Sequence, residues 1–369
     1  MSELENFSFT PSEFAKLARV DKELIPLLEN EGLVETHRRR MGNVDRKMIS
    51  LEKAQEYFHK IRAVKLNTQS PVSSEIGRHG DPEMGEGAEA AGPALPMEMP
   101  EEARRVFNII SASNLAEAPT HKIQMFYNVK GGTGKSTLTA QYVMRASMMG
   151  LRVLAIDLDA QGHLTVNLDV LDGHERATIY DVLINDLPIE ESIVSAAPGL
   201  DLIPASLGLC NIEIPLNQKP RREYRLSEAI ERVKDNYDII VSDTNPAASI
   251  LNNSMLVAAD LVNVVCATNP LSFHGMSLVL STIQDMEKEF RRELAVKIIP
   301  NMYDNREVIS QEVLGELRRQ FESYCTQSVV NRCADLNEAT KRRTTVWAVN
   351  ARGTAANDID TLTEELLFS

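Results

Sequence analysis

The chain has 369 residues, 43% of them hydrophobic and 25% charged, and its net charge is −14. At roughly 100–200 residues per domain this length suits two domains or three, and the mixture excludes a collagen-like repeat, a coiled-coil rod or a wholly disordered chain. No run approaches about 18 apolar residues, which excludes a transmembrane helix; the acidic start Met1-Ser2-Glu3-Leu4-Glu5 is not a secretory signal; and the charge weighs against a protein held permanently on nucleic acid.

Residues 1–65 read as a small winged helix-turn-helix domain. Thr10-Pro11-Ser12-Glu13 is a helix start, with Thr as cap, Pro at the first helical position and Glu closing the capping box. Phe14, Leu17 and Ala18 follow at helical spacing. Val20-Asp21 turns into a second helix that ends near Glu31-Gly32. Pro26 is a departure there, because an interior proline removes a backbone hydrogen bond. Arg38-Arg39-Arg40, Gly42-Asn43 and Arg46-Lys47 have the form of a wing, and a third helix is expected from Ser50, with Leu51, Ala54, Phe58 and Ile61 on one face. In such a domain one helix enters the major groove while the wing touches phosphates, so Arg38, Arg39 and Arg40 are candidate contacts to DNA. The segments FAKLARVDKELIPLLENEGLV and ISLEKAQEYF resemble the MerR-like helix-turn-helix. A helical protein-interaction module with a solvated basic loop is the competing reading.

Residues 66–100 are expected to form a flexible linker. A third of positions 71–100 are Gly or Pro, and too little apolar surface is present to offset the entropy of ordering. A connecting helix over 101–118 offers Val106, Phe107 and Ile110 for packing. From 119 to 369 short apolar runs alternate with helical segments: IQMFYN, RVLAID, LDLIPA, YDIIVSD, LVNVVCA and VKIIPN. The expected fold class is α/β, a mostly parallel sheet with helices on both faces. Cys210, Cys266, Cys325 and Cys333 are too few and too scattered for a disulfide framework or a CxxC metal site, and are expected as thiols of a reducing compartment.

After the first apolar run comes Asn128-Val129-Lys130-Gly131-Gly132-Thr133-Gly134-Lys135-Ser136-Thr137. Val129 breaks the pattern GxxxxGK[ST]; what stands is the deviant form KGGxGK[ST]. The physics is the same. Gly131, Gly132, Thr133 and Gly134 let backbone N–H groups wrap phosphate oxygens, and the following helix points its positive end at them. Lys135 is placed to reach the β- and γ-phosphates and the Ser136 hydroxyl to bind Mg²⁺, with Thr137 completing the loop. Two strands then end in acids on the carboxyl side, where parallel sheets bind ligands. Asp159 is the candidate to orient the attacking water, Asp157 to act near Mg²⁺ through water, and Asp243 to be the outer Mg²⁺ ligand of a Walker B strand.

KGGTGKST, LAIDLDAQGHLT, GLDLIPASLGL and YDIIVSDTNPA, in this order, resemble the ParA family of partition ATPases within the ParA/MinD group, over about residues 121–369. With its N-terminal domain the chain is similar to the larger ParA proteins of plasmids and to the RepA proteins of repABC replicons. The resemblance implies ATP/ADP and Mg²⁺ as ligands and a cytoplasmic, nucleoid-associated ATPase. It implies a homodimer that sandwiches the nucleotides, with Lys130 reaching the nucleotide of the other subunit as a charge stabiliser in trans. It further implies that the ATP-bound dimer binds DNA without sequence preference, that a ParB-type partner stimulates hydrolysis, and that the N-terminal domain represses its own operon. Asn301 is placed by the resemblance at the adenine. Arg306 matches a family position for DNA contact, and Arg332, Lys341, Arg342 and Arg343 are further candidates. Asp335 departs from a second family arginine, a role left to the run 341–343. A MinD-type membrane cycle needs a basic amphipathic C-terminal helix; this chain ends in the acidic stretch from Asp358 to Ser369, so no membrane partner is expected. A positioning ATPase for a protein cargo and a nucleotide-sensing repressor are the competing readings.

Overall fold

The computed structural model describes residues 8–11, 14, 25–30, 34–41, 44–50, 53, 57, 119–173 and 176–368. The chain divides into two compact units, one spanning Ser8–Ala116 and the other built mainly from Glu117–Ser369. The expected linker (66–100) and connecting helix (101–118) lie outside the described residues, as do Leu17, Ala18, Leu51, Ala54, Phe58 and Ile61.

In the N-terminal unit, β1 (Ser8–Phe9), β2 (His37–Met41) and β3 (Val44–Ser50) form an antiparallel sheet in the order β1-β3-β2. The β2–β3 register sets Arg38 opposite Lys47, Arg39 opposite Arg46 and Arg40 opposite Asp45. Ser50 ends β3 rather than opening the third helix; Lys53 and Tyr57 are helical. The second helix is described over Ile25–Asn30 with Pro26 as its second residue, a position where a missing N–H costs little. Phe14, Ile25, Val34, Met48, Ile49 and Tyr57 supply buried apolar side chains.

The larger unit is built on a seven-stranded sheet. Its strands are β4 (Ile123–Tyr127), β5 (Val153–Leu158), β6 (Val194–Ala197), β7 (Leu200–Ile203), β8 (Ile239–Thr244), β9 (Leu261–Ala267) and β10 (Ala295–Asn301), in the order β10-β9-β4-β8-β5-β7-β6. All pairings are parallel except β6 with β7. β5, β8 and β9 are buried along their whole length, which is why they read as continuous apolar runs. The helix Lys135–Met148 follows β4, and the C-terminal helix Thr354–Phe368 packs on it through an ion pair of 2.5 Å between Arg145 and Asp360. Among the described residues no helix is long and apolar enough to cross a membrane.

Candidate nucleotide site

The loop between β4 and the helix Lys135–Met148 is held from both sides. Asn128 donates from Nδ2 to the Val265 carbonyl of β9 at 2.8 Å and accepts the Lys130 N–H at 2.9 Å. Asn301, at the end of β10, donates to the Thr133 carbonyl at 2.7 Å. Gly132 (φ 73°) and Gly134 (φ 89°) sit in the left-handed region, where a side chain is strained. At Gly134 a Cβ would also collide with the Asn301 amide nitrogen. Glycine is therefore called for at 132 and 134, by backbone conformation at both and by space at 134.

Beneath it, the parallel register of β5 and β8 sets Asp157 directly beside Asp243. Both are fully buried, and their surroundings differ. Asp157 accepts the Asp159 N–H at 3.1 Å, the Thr165 N–H at 2.8 Å and the Thr165 hydroxyl at 2.7 Å. Burial pushes its carboxyl up to about 6, against the pull of those Thr165 bonds. Neither oxygen of Asp243 has a hydrogen bond of good geometry. Burial, and then the neighbouring Asp157, push the Asp243 carboxyl up to about 8; the Ser136 hydroxyl and Lys135 pull it back. Lys135 is itself 6% exposed, and burial lowers its pKa while Asp243 and Asp159 raise it. Asp159, 8% exposed, accepts the Gln161 N–H at 3.0 Å.

Lys135, Ser136 and Asp159 open onto one cleft of about 660 Å³, lined by the loop from Gly131 to Thr137 and by Asp159, Gln161, His163, Asn167, Pro246 and Thr340. A site for a divalent cation can be tested against this arrangement. Among the described residues no three His, Cys, Asp or Glu side chains group as a metal cage. What is present is one hydroxyl, Ser136, in front of one buried carboxylate without a strong hydrogen bond. That donor set fits Mg²⁺, which keeps several waters and is bound through one or two carboxylates plus phosphate oxygens.

The sequence candidates fall in different places. Gly131 through Thr137 and Asp159 line the cleft, while Asp157 and Asp243 lie beneath it. Lys130 precedes the lining residue Gly131 and is not itself in the lining; its Nζ donates to Asn269 Oδ1 at 3.3 Å and Ser272 Oγ at 3.1 Å within the same subunit. Asn301 is not in the lining itself; it holds the lining residue Thr133 through that residue's carbonyl. Arg306, Arg332, Lys341, Arg342 and Arg343 are also outside the lining, and each faces a carboxylate: Asp304, Glu307, Glu338 for two of them, and Asp169. His163, Asn167 and Thr340 were not singled out in the sequence. Nothing local marks Thr340, which the fold brings from the helix Ala334–Arg342.

A family model described as an AAA domain matches residues 121–296. The cell division protein PomZ of Myxococcus xanthus is 31% identical over 249 residues, which are 67% of this chain and 78% of that one. The chromosome partitioning protein ParA of Caulobacter vibrioides is 32% identical over 216 residues, 58% of this chain and 81% of that one. Among solved structures, cobyrinic acid a,c-diamide synthase from Mycobacterium smegmatis, with a bound ATP analogue and magnesium, is 28% identical, with a TM-score of 0.51 over 55% of this chain and 83% of that one. Its deviant phosphate loop, the acids at the ends of β5 and β8, and these relatives together make the chain a member of the ParA family of P-loop ATPases.

Proposed function

We propose that this protein is a DNA partition ATPase whose ATP-bound dimer holds DNA and lets it go on hydrolysis. One arrangement carries the reading: Lys135, the Ser136 hydroxyl, Asp159 and Asp243 converge at a glycine-containing loop, and a second lysine, Lys130, immediately precedes that loop. The loop N–H groups and Lys135 bind the triphosphate of ATP or the diphosphate of ADP. Ser136, with Asp243 behind it, would hold Mg²⁺, which would supply positive charge to offset that of the phosphates. Asp157 braces the backbone of Asp159 and Thr165 and reaches the ion only through water. Asp159 orients the attacking water. Lys130 leaves Asn269 and Ser272 to meet the nucleotide of the other subunit. Asn301 fixes the loop and borders the adenine. The ATP analogue and magnesium bound by the cobyrinic acid a,c-diamide synthase support this ligand pair.

Two local basic faces brought together by dimerisation reconcile DNA binding with a net charge of −14. Arg306, Arg332 and Lys341–Arg343 are assigned to that face, a ParB-type protein to the stimulation of hydrolysis, and the nucleoid to the location. The antiparallel sheet β1-β3-β2 and the helix Ile25–Asn30 support a winged helix-turn-helix over residues 1–65 that reads operator DNA, with Arg38, Arg39 and Arg40 on its wing. Residues 66–100 then form the linker, 101–118 the connecting helix and 119–369 the ATPase domain. The similarity to PomZ, a cell division protein, favours one second reading, the positioning of a protein cargo.

Sedimentation with ATP and Mg²⁺, with ADP, and without nucleotide tests the dimer. The expected result is a dimer with ATP alone, lost in Lys135→Ala. A monomer under all three conditions overturns the proposal.

A further inference from the structure

The sequence Lys341-Arg342-Arg343 reads as a block of three positive charges. The fold does not leave it so. Glu338 lies one turn back on the helix Ala334–Arg342, where it takes Arg342 at 2.6 Å and stands 4.0 Å from Lys341. Arg343, in a left-handed backbone conformation (φ 52°), faces Asp169 at 3.8 Å. Three cations and two acids leave this end of the helix near a single positive charge. The same pattern recurs at two other candidate arginines. Both oxygens of Asp304 hold Arg306, at 2.9 and 2.7 Å, although that arginine side chain is 82% exposed. Arg332 has Glu307 at 3.9 Å.

Ion pairs this exposed contribute little to folding stability, so stability gives little reason to keep the acids there. They do change what the surface offers a polyanion. A phosphate arriving at Arg342 must displace Glu338 and then remain beside it. Glu338 is on the same helix as its two cations and always travels with them. Asp169 comes from another segment, two residues after Asn167, and both Asn167 and Thr340 border the nucleotide cleft.

We propose that Glu338 and Asp169 are affinity-setting residues of the DNA surface: they compete with phosphate for Lys341, Arg342 and Arg343, so that one surface alone binds DNA weakly and two joined in a dimer bind it usefully. This rests on the reading of 341–343 as a DNA-binding surface. The competition is electrostatic and local, so it is removed by neutralising the acid without changing its shape.

The test is binding of the full-length protein to an arbitrary duplex with ATP and Mg²⁺ over a range of salt. Glu338→Gln and Asp169→Asn are each expected to tighten binding about two- to fivefold, the range that one released exposed ion pair supports. The slope of log affinity against log salt is expected to steepen by about one for each freed cation that meets a phosphate. Glu289→Gln makes the same change in net charge at an exposed position of the helix Met276–Phe290 and is expected to leave binding unchanged. No tightening, or tightening matched by Glu289→Gln, overturns the proposal. Neutralising Lys341, Arg342 and Arg343 together separates the two levels. If that variant binds DNA as well as wild type, the surface itself is misassigned. If it binds more weakly while Glu338→Gln gains nothing, the surface stands and the competition does not.

Discussion

At Asp243 the sheet buries a carboxylate and gives it no hydrogen bond of good geometry. Such a group keeps its proton. Its carboxyl sits at about 8 in the fold, against about 3.9 in an unfolded chain. Between those values the folded protein holds a proton that the unfolded chain has released, so stability falls as pH rises through that window. The nucleotide-free, metal-free protein is therefore expected to melt lower near pH 8 than near pH 6, and Asp243→Asn to flatten the dependence; a wild-type slope in that variant contradicts the account. The two lysines are expected to separate by function. Lys135→Ala should lose ATP binding in calorimetry, and retained affinity would remove the site assignment. Lys130→Ala should bind ATP normally yet hydrolyse it at least about tenfold more slowly, as loss of a charge donated in trans requires. Turnover at the wild-type rate rules that role out.

Among the elements, the helix after the phosphate loop is tied to the C-terminal region by one buried amide. Gln141 donates to the Thr344 carbonyl at 3.0 Å and accepts the Val346 N–H at 2.9 Å. Gln141→Leu strands a buried N–H and a buried C=O, a loss of about 2–4 kcal/mol. The measurement is a lower urea midpoint at unchanged m, and a loss below about 1 kcal/mol would mean that water replaces the clamp. No sequence pattern announces Gln141, because its partners lie some 200 positions away. The strands were legible for the opposite reason. Six of the seven in the large sheet are short apolar runs, five between covered faces and β10 at one edge. β6 escaped because it is a half-buried antiparallel edge strand, with no run of apolar residues to betray it. The glycine loop was legible because left-handed backbone favours glycine, and the acids because parallel strands end at the ligand side. That Asp157 and Asp243 stand side by side depends on strand register, and that Thr340 joins the cleft depends on a distant helix. Neither leaves a local mark.

For the whole molecule, a net charge of −14 fits the proposed DNA binding if the nucleotide switches that binding on. In this structure the positive charges assigned to the DNA surface are met by carboxylates, and Lys130 is held by its own subunit. Both features describe a protein that does not yet grip a polyanion. In the proposed cycle, closing a dimer would double the cationic surface and multiply its affinity, since each phosphate neutralised releases counterions. The most direct measurement is binding of an arbitrary duplex with ATP, with ADP and without nucleotide, each at two salt concentrations. The account predicts binding with ATP alone, weakening steeply at the higher salt. Equal binding in all three states, or binding only to operator DNA whatever the nucleotide, would contradict it.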